Sequence, residues 1–276
     1  MGITFIGGGN MATALIGGMR ARGHPAAEFR VVEPVAGQRE RLAARFPGIG
    51  LLPAIDARAA DAAELIVFAV KPQQMRAAAR ALEPHHATAA PPVVLTIAAG
   101  IRLADLARWL GPAARLVRAM PNTPALIGRG ISGVYAGPEV DPAGRALAGR
   151  VLEAAGEVVW VAEERMLDAV TGVSGSGPAY VFYFLEACEE AAQQLGFAPA
   201  EARRLAYATF AGAIALAQGS ATPPATLREQ VTSKGGTTER ALAVMEAGAV
   251  KATIIAAVAA AAERAQELGD AFGSEA

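Results

Sequence analysis

Over residues 3–162 the chain alternates short apolar runs with longer amphipathic stretches. This alternation restricts the possible folds more than any other feature. The runs ITFIG (Ile3–Gly7), FRVVE (Phe29–Glu33), ELIVFAV (Glu64–Val70), PVVLTIA (Pro92–Ala98) and ARLVRAM (Ala114–Met120) have the length and apolar content of strands buried on both faces. The stretches between them, such as NMATALIGGMRARG, AGQRERLAARF, PQQMRAAARAL and RLADLARWL, carry helical spacing. Continuous apolar strands separated by helices predict an α/β fold with a parallel sheet covered on both sides. SGVYAG and EVVWVA are candidates for further edge or closing strands.

After Glu163 the strand pattern stops. Residues 164–196, 199–219, 223–231 and 238–269 all have helical periodicity, with Pro199 and Pro223–Pro224 near helix starts, where proline is tolerated. The expected organisation is therefore two domains, 1–162 and 163–276, the second all-helical. Several of its helices are apolar nearly all round and need cover on every side, which a core of this size does not provide alone. An oligomer interface is the expected consequence. The apolar run VKATIIAAVAAAA is too short to span a bilayer and reads as a core helix.

Composition narrows the function. Hydrophobic residues make up 53% and charged residues 18% of 276, enough for a sizeable core. The formal net charge of −1 gives no electrostatic reason to expect a nucleic-acid or anionic-membrane partner. The N-terminus runs directly into a strand pattern without a basic region, and Ile6 stands where a myristoylation pattern needs Ser or Thr, so neither a signal peptide nor N-myristoylation is expected. Cys188, the single cysteine, excludes an intrachain disulfide, fits a reducing, cytoplasmic setting, and reads as a buried inert thiol. His24, His85 and His86 lack metal-ligand spacing with each other or with Cys188, so no metal site is expected. The last two lie in EPHHATAAPP, which reads as a solvated Pro-rich loop.

FIGGGNMATAL places Gly7-x-Gly9-x-x-Ala12 directly after the first strand and at the opening of a helix, the context in which this spacing marks a Rossmann-type dinucleotide fold. Gly7 suits the tight turn and Gly9 the close approach of a pyrophosphate to the helix N-terminus, with Asn10 and Met11 opening that helix. Glu33 ends the second strand about two dozen residues later. A carboxylate there accepts from ribose hydroxyls and repels a 2′-phosphate, a lean toward NADH over NADPH, although Arg39 and Arg41 follow within reach of a phosphate. Val70, Lys71 and Pro72, and Ala98, Ala99 and Gly100, follow two further strands and are expected to line the cofactor, because ligands bind beyond the carboxyl ends of such strands.

One late stretch breaks the helical pattern. VTSKGGTT (Val231–Thr238) is either a plain interhelical loop or a backbone left exposed for binding. Its two glycines precede TERALAVME, whose first turn has unpaired N–H donors, and glycine lets a small anion approach such donors.

RAMPNTP (Arg118–Pro124), SGSGPAY (Ser174–Tyr180), the Ser233–Thr238 loop and the Gly7 loop together resemble the pyrroline-5-carboxylate reductases, the last enzymes of proline synthesis, from Gly7 to about Ala265. The resemblance implies an N-terminal dinucleotide fold, NADPH or NADH as cofactor, and a helical domain that dimerises, with dimers assembling further into rings. It implies that Ser233, Gly235, Gly236, Thr237 and Thr238 hold the substrate carboxylate through backbone N–H groups and hydroxyls, with Ser233 and Thr238 as catalytic residues. Thr238 would hydrogen-bond the imine nitrogen, and Asn122 and Thr123 would lie near the nicotinamide. The glycines around Ser174 and Ser176 suit close helix packing, with a serine facing the site. The chain departs from the family at Lys234, usually proline, and at Glu239-Arg240, usually a small pair. Two other readings remain. A β-hydroxyacid dehydrogenase of the same architecture would have Lys251 as its only helix-interior base. A nucleotide-sensing protein would have a degenerate substrate loop.

Overall fold

A computed structural model describes residues 2–86 and 91–274. Strands β1 (Ile3–Ile6), β2 (Phe29–Val32), β3 (Gly50–Leu52), β4 (Leu65–Phe68), β5 (Val93–Thr96), β6 (Arg115–Met120), β7 (Gly130–Ala136) and β8 (Gly156–Trp160) form one sheet in the order 3-2-1-4-5-6-7-8. All neighbours are parallel except β6 and β7. The first six strands follow the order of a dinucleotide-binding sheet, whose direction of winding reverses between β1 and β4. The two candidates for edge or closing strands are β7, which lies inside the sheet, and β8, which is an edge. The three-residue strand β3 carried too little apolar signal to be read from the sequence.

Helices α1 (Asn10–Ala21), α2 (Ala36–Arg45), α3 (Ala57–Ala60), α4 (Pro72–His86), α5 (Leu103–Leu110) and α6 (Pro142–Glu153) flank the sheet. Every residue of β1, β4 and β5 is buried, as their unbroken apolar runs require. Alternate side chains feed two cores. Phe5, Leu65 and Val67 join Leu15, Met19 and Phe29 on one face, while Ile6, Ile66 and Phe68 join Met75, Leu82 and Trp109 on the other.

The strand pattern ends at Trp160, yet the compact unit built on the sheet continues through Ser176 and takes in the end of the last helix from Ala260. Side-chain packing explains why this differs from a break at 162/163. Helix α7 (Met166–Val170) buries Leu167, and a Cβ at Gly133 on β7 would lie 2.7 Å from the Val170 methyls. Helix α12 (Val250–Ser274) brings Phe272 against Gly100 and Asp270 within 2.8 Å of Arg102.

The second unit, Gly177–Ala259, holds α8 (Gly177–Gln194), α9 (Pro199–Gln218), α10 (Pro224–Gln230), α11 (Thr237–Ala247) and the first turns of α12. Pro199 and Pro224 each open a helix, where the missing N–H costs nothing. Both buried clusters lie in the first unit. Here large apolar side chains are bare: Phe182 is 64%, Tyr183 71%, Leu216 63% and Ile255 62% exposed. The run beginning at Val250 is therefore not a core helix of the single chain, and Cys188 is exposed rather than buried. Lys251 is the second residue of α12 and exposed, not interior. Among the described residues no single helix is long and apolar enough to cross a membrane.

The expected Pro-rich loop is also corrected. Glu83–His86 continue α4, with Pro84 inside it, while residues 87–90 lie outside those described. His86 is buried, and its Nε2 has no hydrogen-bond partner among the described residues. Burial holds its pKa below histidine's ordinary 6.5, partly offset by a hydrogen bond to the Pro92 backbone. The unfolded chain therefore takes up this proton first. The stability held by neutral His86 is complete above pH 6.5 and is lost as pH falls from there toward the lowered folded value. His86→Leu is expected to lose less Tm than wild type between pH 7.5 and 5.5. Equal losses would show that His86 does not contribute to the acid sensitivity.

Candidate functional site

The glycine loop after β1 is shaped by three different constraints. Gly7 has φ +99°, and a Cβ there would lie 2.7 Å from the Ala69 carbonyl oxygen. A Cβ at Gly8 would meet Leu42 Cδ1 at 2.6 Å. A Cβ at Gly9 would meet nothing within 4 Å, so the protein's own packing does not demand glycine there. The open space fits a ligand phosphate approaching the first N–H groups of α1, and no acidic residue occupies that turn.

A cleft of about 610 Å³ opens at the reversal point of the sheet. Gly7, Gly9, Glu33, Val70 and Lys71 share its lining, together with Pro34, Pro53 and Gln74. Asn10 and Met11 begin α1. Asn10 is exposed, and the Met11 side chain packs on the core, leaving its backbone as the part available to a ligand. Pro72 opens α4.

Glu33 has a task that its position in the sequence did not reveal. Its Oε2 accepts from the Gly8 N–H at 3.0 Å and its Oε1 from the Val35 N–H at 2.9 Å, which pins the glycine loop to the end of β2. Gln38 donates to the Gly8 carbonyl at 2.6 Å, and Arg39 donates to the carbonyls of Glu33 and Pro34, each at 2.8 Å. Arg39 is thus fixed beside the residues that rim the cleft, whereas Arg41 bonds back along its own helix to Gly37.

Ala98–Gly100 and Asn122–Thr123 follow β5 and β6 and do not line this cleft. Gly100 has φ +76° and packs against Phe272. Asn122 is buried. Its Oδ1 accepts from the Ile131 N–H at 2.9 Å and its Nδ2 donates to the Ser174 carbonyl at 3.2 Å, so its side chain braces two segments. Thr123 is exposed at the start of a 3₁₀ turn, Thr123–Ile127.

Thr171–Gly175 forms a π-helical turn, a form that concentrates at functional sites. A Cβ at Gly175 would lie 2.7 Å from Met120 Cε, in line with the packing role expected of these glycines. The Ser174 hydroxyl donates to the Val170 carbonyl at 3.1 Å.

Arg118, on β6, holds the segment before the π-turn, a role the sequence concealed because its partners lie some fifty residues away. Its side chain is 5% exposed and bonds Glu164 at 3.1 Å and Asp168 at 3.2 Å. Glu164 Oε1 also accepts from the Leu103 N–H at 2.8 Å, at the start of α5. One ion-pair network therefore joins β6 to the start of α5, to α7 and to the turn before α7. Among the described residues no group of three or more His, Cys, Asp or Glu side chains is arranged to hold a metal ion.

In the second unit the loop before α11 is compact. Gly235 has φ +72° and donates its N–H to Glu239 Oε2 at 2.7 Å. Gly236, the residue before the helix, donates to the Ser233 carbonyl at 3.0 Å, and a Cβ on it would lie 2.4 Å from Ser233 Oγ. Both glycine N–H groups are thus engaged within the loop. Among the described residues the donors left open are the N–H groups of Thr237, Thr238 and Glu239 in the first turn, and no side chain caps the helix from Gly236. The Ser233, Thr237 and Thr238 hydroxyls accompany them.

Residues 164–268 match the family model described as pyrroline-5-carboxylate reductase dimerisation, and residues 2–100 match that described as NADP oxidoreductase, coenzyme F420-dependent. The chain is 44% identical over 271 residues to the pyrroline-5-carboxylate reductase of Pseudomonas aeruginosa, covering 98% of each protein. The solved pyrroline-5-carboxylate reductase of Coxiella burnetii superimposes with a TM-score of 0.89 at 37% identity, over 96% of this chain and 97% of that one. The Plasmodium falciparum pyrroline carboxylate reductase, solved with NADP bound, shares the fold, with a TM-score of 0.85 at 24% identity over 98% of each chain. This chain belongs to the pyrroline-5-carboxylate reductase family.

Proposed function

We propose that this chain reduces 1-pyrroline-5-carboxylate to L-proline with NADPH or NADH, and that the first turn of α11 holds the substrate carboxylate. The observation that carries this reading is the set of open N–H donors at Thr237 and Thr238, flanked by three hydroxyls, in a chain of this family. Interaction of an anion with the helix terminus contributes roughly 0.3–1 kcal/mol. Charge-assisted hydrogen bonds add about 1.5–3 kcal/mol each. The sum suits a small metabolite held at micromolar to millimolar strength.

When bound, the reduced nicotinamide supplies a hydride from C4 to the C=N carbon. The chain's residues position and polarise. The Thr237 and Thr238 amides and the Ser233 and Thr237 hydroxyls fix the carboxylate. The Thr238 hydroxyl hydrogen-bonds the ring nitrogen, which takes its proton from water, so no strong protein acid is required. Gly235 and Gly236 serve the shape of the loop. The Gly7–Gly9 turn and the start of α1 would receive the pyrophosphate, Val70–Pro72 would line the same cleft, and Ala98–Gly100 and Asn122–Thr123 would meet the part of the cofactor that extends beyond it.

The bare apolar helices of residues 177–259 are the surface through which two copies form a homodimer, and dimers assemble further into a ring. The enzyme works in the cytoplasm. The β-hydroxyacid alternative loses support because Lys251, its only candidate base, is exposed at the start of α12.

Spectrophotometric turnover tests the reaction. Oxidation of NADPH or NADH with the imine, and no reduction of the oxidised cofactors by 2- or 3-hydroxyacids, is expected. Turnover on a hydroxyacid, or cofactor binding with no turnover on either, would overturn the assignment. In the same assay Glu33→Ala is expected to raise the NADPH-to-NADH ratio of kcat/KM, because a carboxylate that repels a 2′-phosphate is gone. It should also raise both KM values, because the Gly8 N–H loses its acceptor. An unchanged ratio would remove Glu33 from cofactor selection.

A further inference from the structure

We propose that Glu239 is a positioning residue of the substrate loop: by taking the Gly235 N–H, it sets the backbone so that the anion-binding donors begin at Thr237. This rests on the reading that the loop binds the substrate carboxylate. The loop from Thr232 to Gly236 needs an external restraint. Lys234 allows backbone freedom that a proline would remove, and Gly235 sits at φ +72°, a conformation glycine adopts with little steric cost but also leaves readily. The residue before the helix is glycine and provides no side-chain cap.

Glu239 is the third residue of α11, the place from which a carboxylate can reach back over the first turn. It does so at 2.7 Å, to the residue just before the usual capping position. The consequence is chemical as well as geometric. A carboxylate of the chain occupies one loop amide, and the Ser233 carbonyl occupies the next. A substrate carboxylate is thereby steered to the Thr237 and Thr238 amides and kept from the Gly235 side by like charge. Substrate binding should depend on this restraint, and the hydride step should not.

Steady-state kinetics of the full chain with the imine, at saturating NADPH, test this. Glu239→Ala is expected to raise the imine KM about tenfold, the scale of one charge-assisted hydrogen bond. The kcat and the NADPH KM should stay near wild type. Glu239→Gln, whose amide oxygen remains an acceptor, is expected to recover most of the loss. Because the side chain is exposed, both variants should melt cooperatively near the wild-type temperature. A lower imine KM in Glu239→Ala would show that the carboxylate competes with substrate, and would overturn the proposal. An unchanged KM, or a fall confined to kcat, would overturn it as well. A wild type that does not reduce the imine at all would overturn the parent reading and this proposal together. A wild type that is active while Glu239→Ala matches it would overturn this proposal alone.

Discussion

Thr238→Ala is expected to lower kcat/KM for the imine roughly 10- to 100-fold, the loss of one hydrogen bond between the protein and a group that becomes charged. Thr238 is the second residue of α11, and alanine there has better helix propensity, so thermal stability should hold or rise slightly. The backbone N–H remains in place, and the carboxylate keeps that donor. The loss should therefore fall more on kcat than on KM, because the missing hydroxyl polarises the nitrogen while the anion is still gripped. Thr238→Ser restores a hydroxyl and should recover most of the rate. Steady-state kinetics on the three proteins at matched NADPH check this. Equal kcat in wild type and Thr238→Ala would remove the residue from the reaction.

Arg118→Met is expected to destabilise the protein by about 3 kcal/mol, the low end for removing one partner of a buried ion pair. The low end is appropriate because Glu164 and Asp168 keep 24% and 15% exposure, so water relieves part of their unpaired charge. The guanidinium is nearly sealed, and without it two carboxylates face one another on α7 and the turn before it. Glu164 keeps its bond from the Leu103 N–H, which limits the damage at α5. The urea midpoint measures the loss. Adding Asp168→Leu should restore part of it, since an apolar replacement is often tolerated where an unpaired charge is not. A midpoint within error of wild type would show that the network is not structural.

Much of the fold was legible because its physics is local. Strands buried on both faces must be continuously apolar, and β1, β4 and β5 announce themselves that way. The turn at Gly7 was legible for a similar reason, since a residue at positive φ pressed against the Ala69 carbonyl has to be glycine. What escaped depended on distant partners. Arg118 meets Glu164 and Asp168 through the sheet, Asn122 braces Ile131 and Ser174, and the end of α12 joins the first unit through Phe272 and Asp270. The reading of residues 250–262 as a core helix failed because an apolar run reports only that cover is needed. In the single chain that cover is absent. His86 was misread because Pro84 suggested a loop, yet the helix continues through it. Glu239 was legible in principle, since an acidic third residue after an uncapped helix start is a capping signal.

Where the substrate's carboxylate sits is measured directly by a crystal structure with L-proline bound. Both carboxylate oxygens are expected within about 3 Å of the Thr237 and Thr238 amide nitrogens. The Gly235 N–H should still be donated to Glu239. Proline density at another place, with the first turn of α11 left uncontacted, would contradict the account.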